Sequence, residues 1–176
     1  VWFVELGMSG GLVQMVAHGF VSAAMFLCIG VLYDRLHSRE IKDYGGVISA
    51  MPRFSAFALL FFMANAGLPG TAGFVGEWMV ILAAVKVNFW IGMAAASALI
   101  FGAGYTLWMF KRVYLGPVVH DKVRALQDIN AREFLMLTLL AVPVIWMGVH
   151  PAPISAIMDT SIVELLRHVA TSKLGG

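Results

Sequence analysis

Charge is what this 176-residue chain has least of. Only 12% of its residues are Asp, Glu, Lys or Arg, against 60% that are hydrophobic, and the mean hydropathy is +0.85. Soluble domains are about half apolar and about a quarter charged, so the shortage excludes a water-soluble globular enzyme and leaves a membrane protein. Cysteine occurs once, as Cys28 inside an apolar segment. A single cysteine forms no intrachain disulfide and offers a metal no CxxC pair, so Cys28 reads as a small hydrophobe. The phosphate-cradling patterns GxGxxG and GxxxxGKS/T are absent too, so no fingerprint for a nucleotide is present. We expect no cofactor and no metal in this chain, and no nucleic-acid partner. A starting Met is also missing: the chain opens at Val1 with no signal-peptide pattern, and we read it as the C-terminal piece of a longer protein.

What is present is a set of long apolar runs. They cover about 11–33, 54–85, 88–110 and 134–149, and together make residues 1–150 a transmembrane helical region. Crossing hydrocarbon takes about 20 apolar residues; the first and third runs qualify outright, and the fourth is short and carries Pro143, a kink. The tail 151–176 is too polar to span. In it Ile154, Ile157, Met158, Ile162, Leu165 and Leu166 recur at helical spacing between Asp159, Glu164 and Arg167, which predicts an amphipathic helix on the membrane or on a partner.

The second run poses the question. As one helix it would be roughly 48 Å long at 1.5 Å per residue, well beyond a core of about 30 Å. It is interrupted over 67–73, around LPGT, by four helix breakers, Gly67, Pro69, Gly70 and Gly73. Each half alone is too short to cross, so the run is either one crossing made of two half-helices or a hairpin that returns to its own side. Basic residues choose between them. One crossing places nine of the 12 Lys and Arg residues in the loops 34–53 and 111–132, on one side; a hairpin splits them seven to five. The positive-inside rule favours the single broken crossing, with those loops in the cytoplasm or matrix. The fold class is therefore all-α: a polytopic bundle of four spans, one discontinuous, plus an amphipathic C-terminal helix.

Non-helical backbone at membrane depth is tolerated where it is buried in protein or lines a water-filled cavity, and broken helices with polar groups at the midplane accompany ion transport. Glu77 directly follows the break. An intramembrane carboxylate costs a few kcal/mol even on lenient insertion scales, so it belongs in the bundle interior, where a carboxyl group can bind and release a proton. The competing role is a hydrogen-bonded packing residue. Gln14, His18 and Ser22 form an i, i+4, i+8 polar stripe on an apolar helix. Titratable imidazole there suits a proton relay; the alternative is a stripe that glues helices together. Asn65, Gly67, Pro69, Gly70, Thr71 and Tyr105 complete the candidate pathway and hinge. Ala94, Ala98 and Gly102 make a small-residue ridge suited to close helix–helix contact.

The stretches MVAHGFVSAAMFLCIGVLYDRLHSREIKDYGGV, LPGTAGFVGEW and KRVYLG resemble the antiporter-like subunits of respiratory NADH–quinone oxidoreductase (complex I). The glutamate at position 77, where related subunits commonly carry lysine, resembles the subunit M (mitochondrial subunit 4) branch. The resemblance implies a fold of about fourteen helices in two inverted repeats, of which this chain matches the last four and the tail. It implies that Glu77 is the ionisable residue of the broken helix, and His18 a histidine of the hydrophilic axis along the membrane arm. It implies proton translocation coupled to electron transfer, an enzyme role only as a subunit of the oxidoreductase, and no redox centre here: NAD, FMN and iron–sulfur clusters belong to other subunits. The implied partners are neighbouring antiporter-like membrane-arm subunits, the lipid bilayer and protons, in a bacterial plasma membrane or mitochondrial inner membrane. Two alternatives stand beside this reading: a subunit of a multisubunit cation/proton antiporter or hydrogenase-linked complex, and a purely structural membrane scaffold.

Overall fold

A computed structural model describes residues 2–174 of the chain. The long elements are α1 (Trp2–Leu36), α3 (Pro52–Asn65), α4 (Ala72–Val87), α5 (Phe89–Tyr114), α7 (Ala131–Val149) and α8 (Ala152–Leu174); the short helices α2 (Val47–Ala50) and α6 (Asp121–Arg124) lie in the connections. Their starts follow local chemistry. The Asn88 side chain accepts the N–H groups of Trp90 and Ile91 to cap α5. Asn130 and Glu133 form a reciprocal capping box on α7. Pro52 sits in the first turn of α3, where its missing N–H is harmless, and the Asp128 carboxylate accepts the next two, from Arg53 and Phe54.

α1, α5 and α7 are long and apolar enough to cross a membrane, whereas α3 and α4, at 14 and 16 residues, are not. Their contacts show that the two half-helices run one after the other along the length of α1. At one end of the bundle Arg35 of α1 grips Glu133 of α7 at 2.8 Å, and Asp128 beside them caps α3. At the other end the Cβ of Ala83, late in α4, lies 3.1 Å from where a Cβ on Gly7 of α1 would stand. α3 thus runs inward from the Arg35 end and α4 completes the passage. The loops after α1 and α5 meet at the Arg35 end, where Gly46 N–H donates to the Leu115 carbonyl and a His120 ring nitrogen bonds the Lys42 carbonyl.

The break spans residues 66–71, with Ala72 and Gly73 already in α4, and it is ordered rather than loose. Gly67 (φ +76) ends α3 in a Schellman motif: Leu68 N–H donates to the Met63 carbonyl and Gly67 N–H to Ala64. Leu68-Pro69-Gly70-Thr71 then makes a turn closed by Thr71 N–H on the Leu68 carbonyl, with Pro second and Gly70 (φ +91) third, the type II arrangement. These bonds satisfy the freed backbone internally, which is what lipid demands. Gly73 has a different job from the one expected of a breaker: a Cβ there would strike the Ala64 carbonyl, so it lets the two half-helices pass closely.

The most extensive helix contact among the described residues is α1 on α4. A Cβ on Gly10 would come 2.6 Å from the Cβ of Met79, and one on Gly76 2.7 Å from the Gln14 Cβ. The Ala94–Ala98–Gly102 ridge makes no such contact: Ala98 and Gly102 line a cavity, and a Cβ on Gly102 would meet nothing within 4 Å. The core lies toward the Arg35 end, where Phe54, Phe62, Phe110 and Tyr114 pack with Cys28 and Val31, the Phe110 and Tyr114 rings stacking at 4.6 Å. α8 packs on α1 with Ile162 buried, whereas Ile157 (79% exposed) and Leu165 face outward. The buried contact follows the inclined i, i+4 row from Ile154 through Met158 to Ile162, as crossing helices do, so two of the six expected apolar positions fall outside it.

Candidate functional site

At the level of the break the bundle opens into a cavity of about 430 Å³, lined by α1, the ends of α3 and α4, and α5. Its polar lining is Gln14 and His18 from α1, Asn65 from α3, Glu77 from α4 and Tyr105 from α5. Gln14 and Glu77 are bonded directly: Gln14 Nε2 donates to Glu77 Oε1 at 3.1 Å. The neighbouring glycines make this reach possible, because Gly76, one residue before Glu77, lies against Gln14 with no side chain between them. The other carboxyl oxygen, Oε2, is buried and has no hydrogen-bond partner among the described residues; the same holds for Gln14 Oε1. Oε2 lies over the break, 2.5 Å from the place a Cβ on Gly67 would occupy.

The candidate residues divide around this site. Glu77, Gln14, His18, Asn65 and Tyr105 share the cavity wall, with His18 and Tyr105 at its exposed side. Ser22, the third member of the α1 stripe, lies beyond the cavity, whose α1 lining ends at Val21. The Thr71 hydroxyl donates to the Leu68 carbonyl at 2.7 Å and so belongs to the turn, as do Pro69 and Gly70, which are exposed away from the cavity. Gly67 contributes space at Oε2. Two buried hydroxyls without hydrogen-bond partners among the described residues, Ser55 and Thr106, lie outside the candidate set. Their sequence signal was only a hydroxyl in an apolar run, which usually means a local bond to the preceding turn.

A site of this kind holds one carboxyl group by a single amide donor, with its second oxygen dehydrated by protein and a polar cavity alongside. The profile of the family described as NADH:quinone oxidoreductase/Mrp antiporter, transmembrane, matches residues 2–102, from α1 through the first half of α5. The chain belongs to that family. The matched residues contain the break and all of the cavity's polar lining except Tyr105. Among curated relatives, NADH-quinone oxidoreductase subunit M of Rhodobacter capsulatus is 40% identical over 93% of this chain and 32% of its own length. NADH-ubiquinone oxidoreductase chain 4 of Chondrus crispus is 42% identical over 93% of this chain and 33% of its own. A chain of respiratory complex I from Thermus thermophilus, solved with bound NADH, superposes with a TM-score of 0.83 at 30% identity, covering 93% of this chain and 35% of that one. The chain thus spans about a third of the length of the relatives it matches.

Proposed function

We propose that this chain forms the part of a proton-translocating membrane-arm subunit of NADH–quinone oxidoreductase in which Glu77 exchanges the proton. One observation carries the reading: a carboxyl group set directly after a helix break, bonded on one oxygen to Gln14 and unpartnered on the other, at the wall of a polar cavity. An open buried acceptor costs about 1–3 kcal/mol; unlike the Ser55 and Thr106 hydroxyls, Glu77 carries its open oxygen at the cavity wall, on a group that can bind a proton. His18, one turn along α1 on the same cavity wall, is the relay toward the exposed side. Electron transfer takes place in other subunits, which hold NAD, FMN and iron–sulfur clusters, and it reaches this site as a change in the protonation of neighbouring charged groups. The partners are the adjoining antiporter-like subunits, in a bacterial plasma membrane or mitochondrial inner membrane.

Glu77→Gln in the full-length protein tests this, with NADH-driven acidification and quinone reduction recorded together in membrane vesicles. Both fall together, by tenfold or more, while the complex still assembles; loss of a positioned proton-transfer group typically costs about 10²–10⁴-fold. Normal rates with intact assembly make Glu77 structural. The family's antiporter branch supplies the second reading, a cation/proton exchanger. It predicts Glu77-dependent exchange that proceeds without NADH.

A further inference from the structure

We infer that the exchangeable proton of this site sits on Oε2 of Glu77, and that Gln14 is a positioning residue that reserves Oε1 as an acceptor in both protonation states. The inference rests on the reading of Glu77 as the proton-exchanging group, and adds which oxygen does the work and what selects it.

The geometry distinguishes the two oxygens. Oε1 accepts the Gln14 amide N–H at 3.1 Å. That bond is equally available whether Oε1 belongs to a carboxylate or is the carbonyl oxygen of a neutral acid, since both only accept. It therefore survives proton uptake and release without movement, provided that the proton goes to the other oxygen. Oε2 is free to take it: it is buried, without a partner, and lies over Gly67, where the absent side chain leaves room. When the proton leaves Oε2, the charge spreads over both oxygens and the Gln14 donor already faces one of them. Nothing has to reorient.

The opposite assignment fits less well. With the proton on Oε1, that oxygen becomes a hydroxyl, a poorer acceptor than a carbonyl, so the Gln14 N–H bond weakens or the amide turns over and presents its own oxygen. Turning over would give up the 3.1 Å bond that Nε2 now makes and exchange the two ends of an amide packed against Gly76 of α4. The other titratable groups lining the cavity, His18 and Tyr105, lie at its exposed side, so neither competes with Gln14 for Oε1.

Infrared difference spectra of the intact complex in membranes, between acidic and alkaline pH, test the assignment. The carbonyl band that disappears in Glu77→Gln belongs to the neutral Glu77 carboxyl. In Gln14→Met, which has nearly the same length and no donor, that band moves to higher wavenumber because its C=O has lost a hydrogen bond. Gln14→Asn, one methylene too short to reach, gives the same upward movement and serves if the methionine variant does not assemble. An unmoved or lowered band in the assembled variants overturns the assignment of the proton to Oε2. A wild-type spectrum with no Glu77-dependent carbonyl band overturns the proton-exchange reading itself, and the two failures are thereby told apart.

Discussion

Every nitrogen of the Arg35 guanidinium is engaged. Nη1 and Nη2 pair with the two Glu133 carboxylate oxygens at 2.9 and 2.8 Å, Nε donates to the Gln127 carbonyl at 2.9 Å, and Nη1 also reaches the Val31 carbonyl. The forked pair is largely withdrawn from water, with side-chain exposures of 18% and 12%. Bidentate, shielded pairs of this kind are the ones that matter energetically. Removing Arg35 leaves the shielded Glu133 carboxylate with only the capping bond from Asn130 N–H, which costs about 1–3 kcal/mol. We expect Arg35→Ala to lower the temperature at which the full-length subunit leaves its detergent-solubilised complex. The double exchange Arg35→Glu with Glu133→Arg should recover part of that loss. Full stability in the single variant contradicts the role assigned to the pair.

At the scale of elements, the break is built from two glycines with different duties. Both have positive φ, which costs an L residue roughly 1–2 kcal/mol, yet a Cβ on Gly70 meets open space whereas one on Gly67 meets Glu77 Oε2 and the Leu99 side chain. Gly70→Ala should therefore lower stability by about 1 kcal/mol and leave turnover near normal in what assembles. Gly67→Ala should lower turnover per assembled complex as well, because it displaces the carboxyl group. Turnover equally preserved in both variants, measured per assembled subunit, would count against a tailored space at Oε2. The same scale explains the α1–α4 contact. Gly7, Gly10 and Gly76 remove the side chains that would hold the two helices apart, so Gln14 can reach across to Glu77. Small residues allow such close packing inside membranes, where no hydrophobic force drives helices together.

For the whole molecule, the end-to-end run of α3 and α4 along α1 predicts one crossing, and with it which loops share a side. Cysteine substitutions at Arg39, Val87 and Val119, all exposed, give a direct readout with a membrane-impermeant thiol reagent, since Cys28 is buried. Arg39→Cys and Val119→Cys should label from the cytoplasmic or matrix side and Val87→Cys from the opposite one. Labelling of positions 39 and 87 from one side, with 119 from the other, would mean a hairpin. The large exposed apolar area of α5, including Trp90, Ile100 and Phe101 at 73–76% exposure, is consistent with a piece of a larger membrane assembly, as is a cavity whose His18 and Tyr105 side stays open.

Much of this was legible along the chain, because lipid makes demands that composition must meet. Few charges, runs of about 20 apolar residues and an uneven spread of Lys and Arg announced a helical bundle in a membrane. A Gly/Pro cluster at mid-depth next to Glu77 announced a broken helix beside an ionisable group, since charge and open backbone are both too costly in hydrocarbon to occur there idly. The sequence could not say which polar residues meet. Gln14 and Ser22 look alike in the periodic stripe, yet Gln14 reaches the carboxyl group because Gly76 lies directly against it, while Ser22 sits beyond the cavity. The ridge of Ala94, Ala98 and Gly102 looks like a packing face, yet Ala98 and Gly102 line the cavity, while α1 and α4 approach closely at Gly7, Gly10 and Gly76. Thr71 could serve the pathway or the hinge, and its hydroxyl bonds the Leu68 carbonyl in the turn of the break. The sequence by itself determined the membrane, the helices and the break, which follow from the transfer energy of each residue in turn. Only the tertiary structure decided which oxygen of Glu77 is held and which is left free, because that depends on distances between helices far apart in the chain.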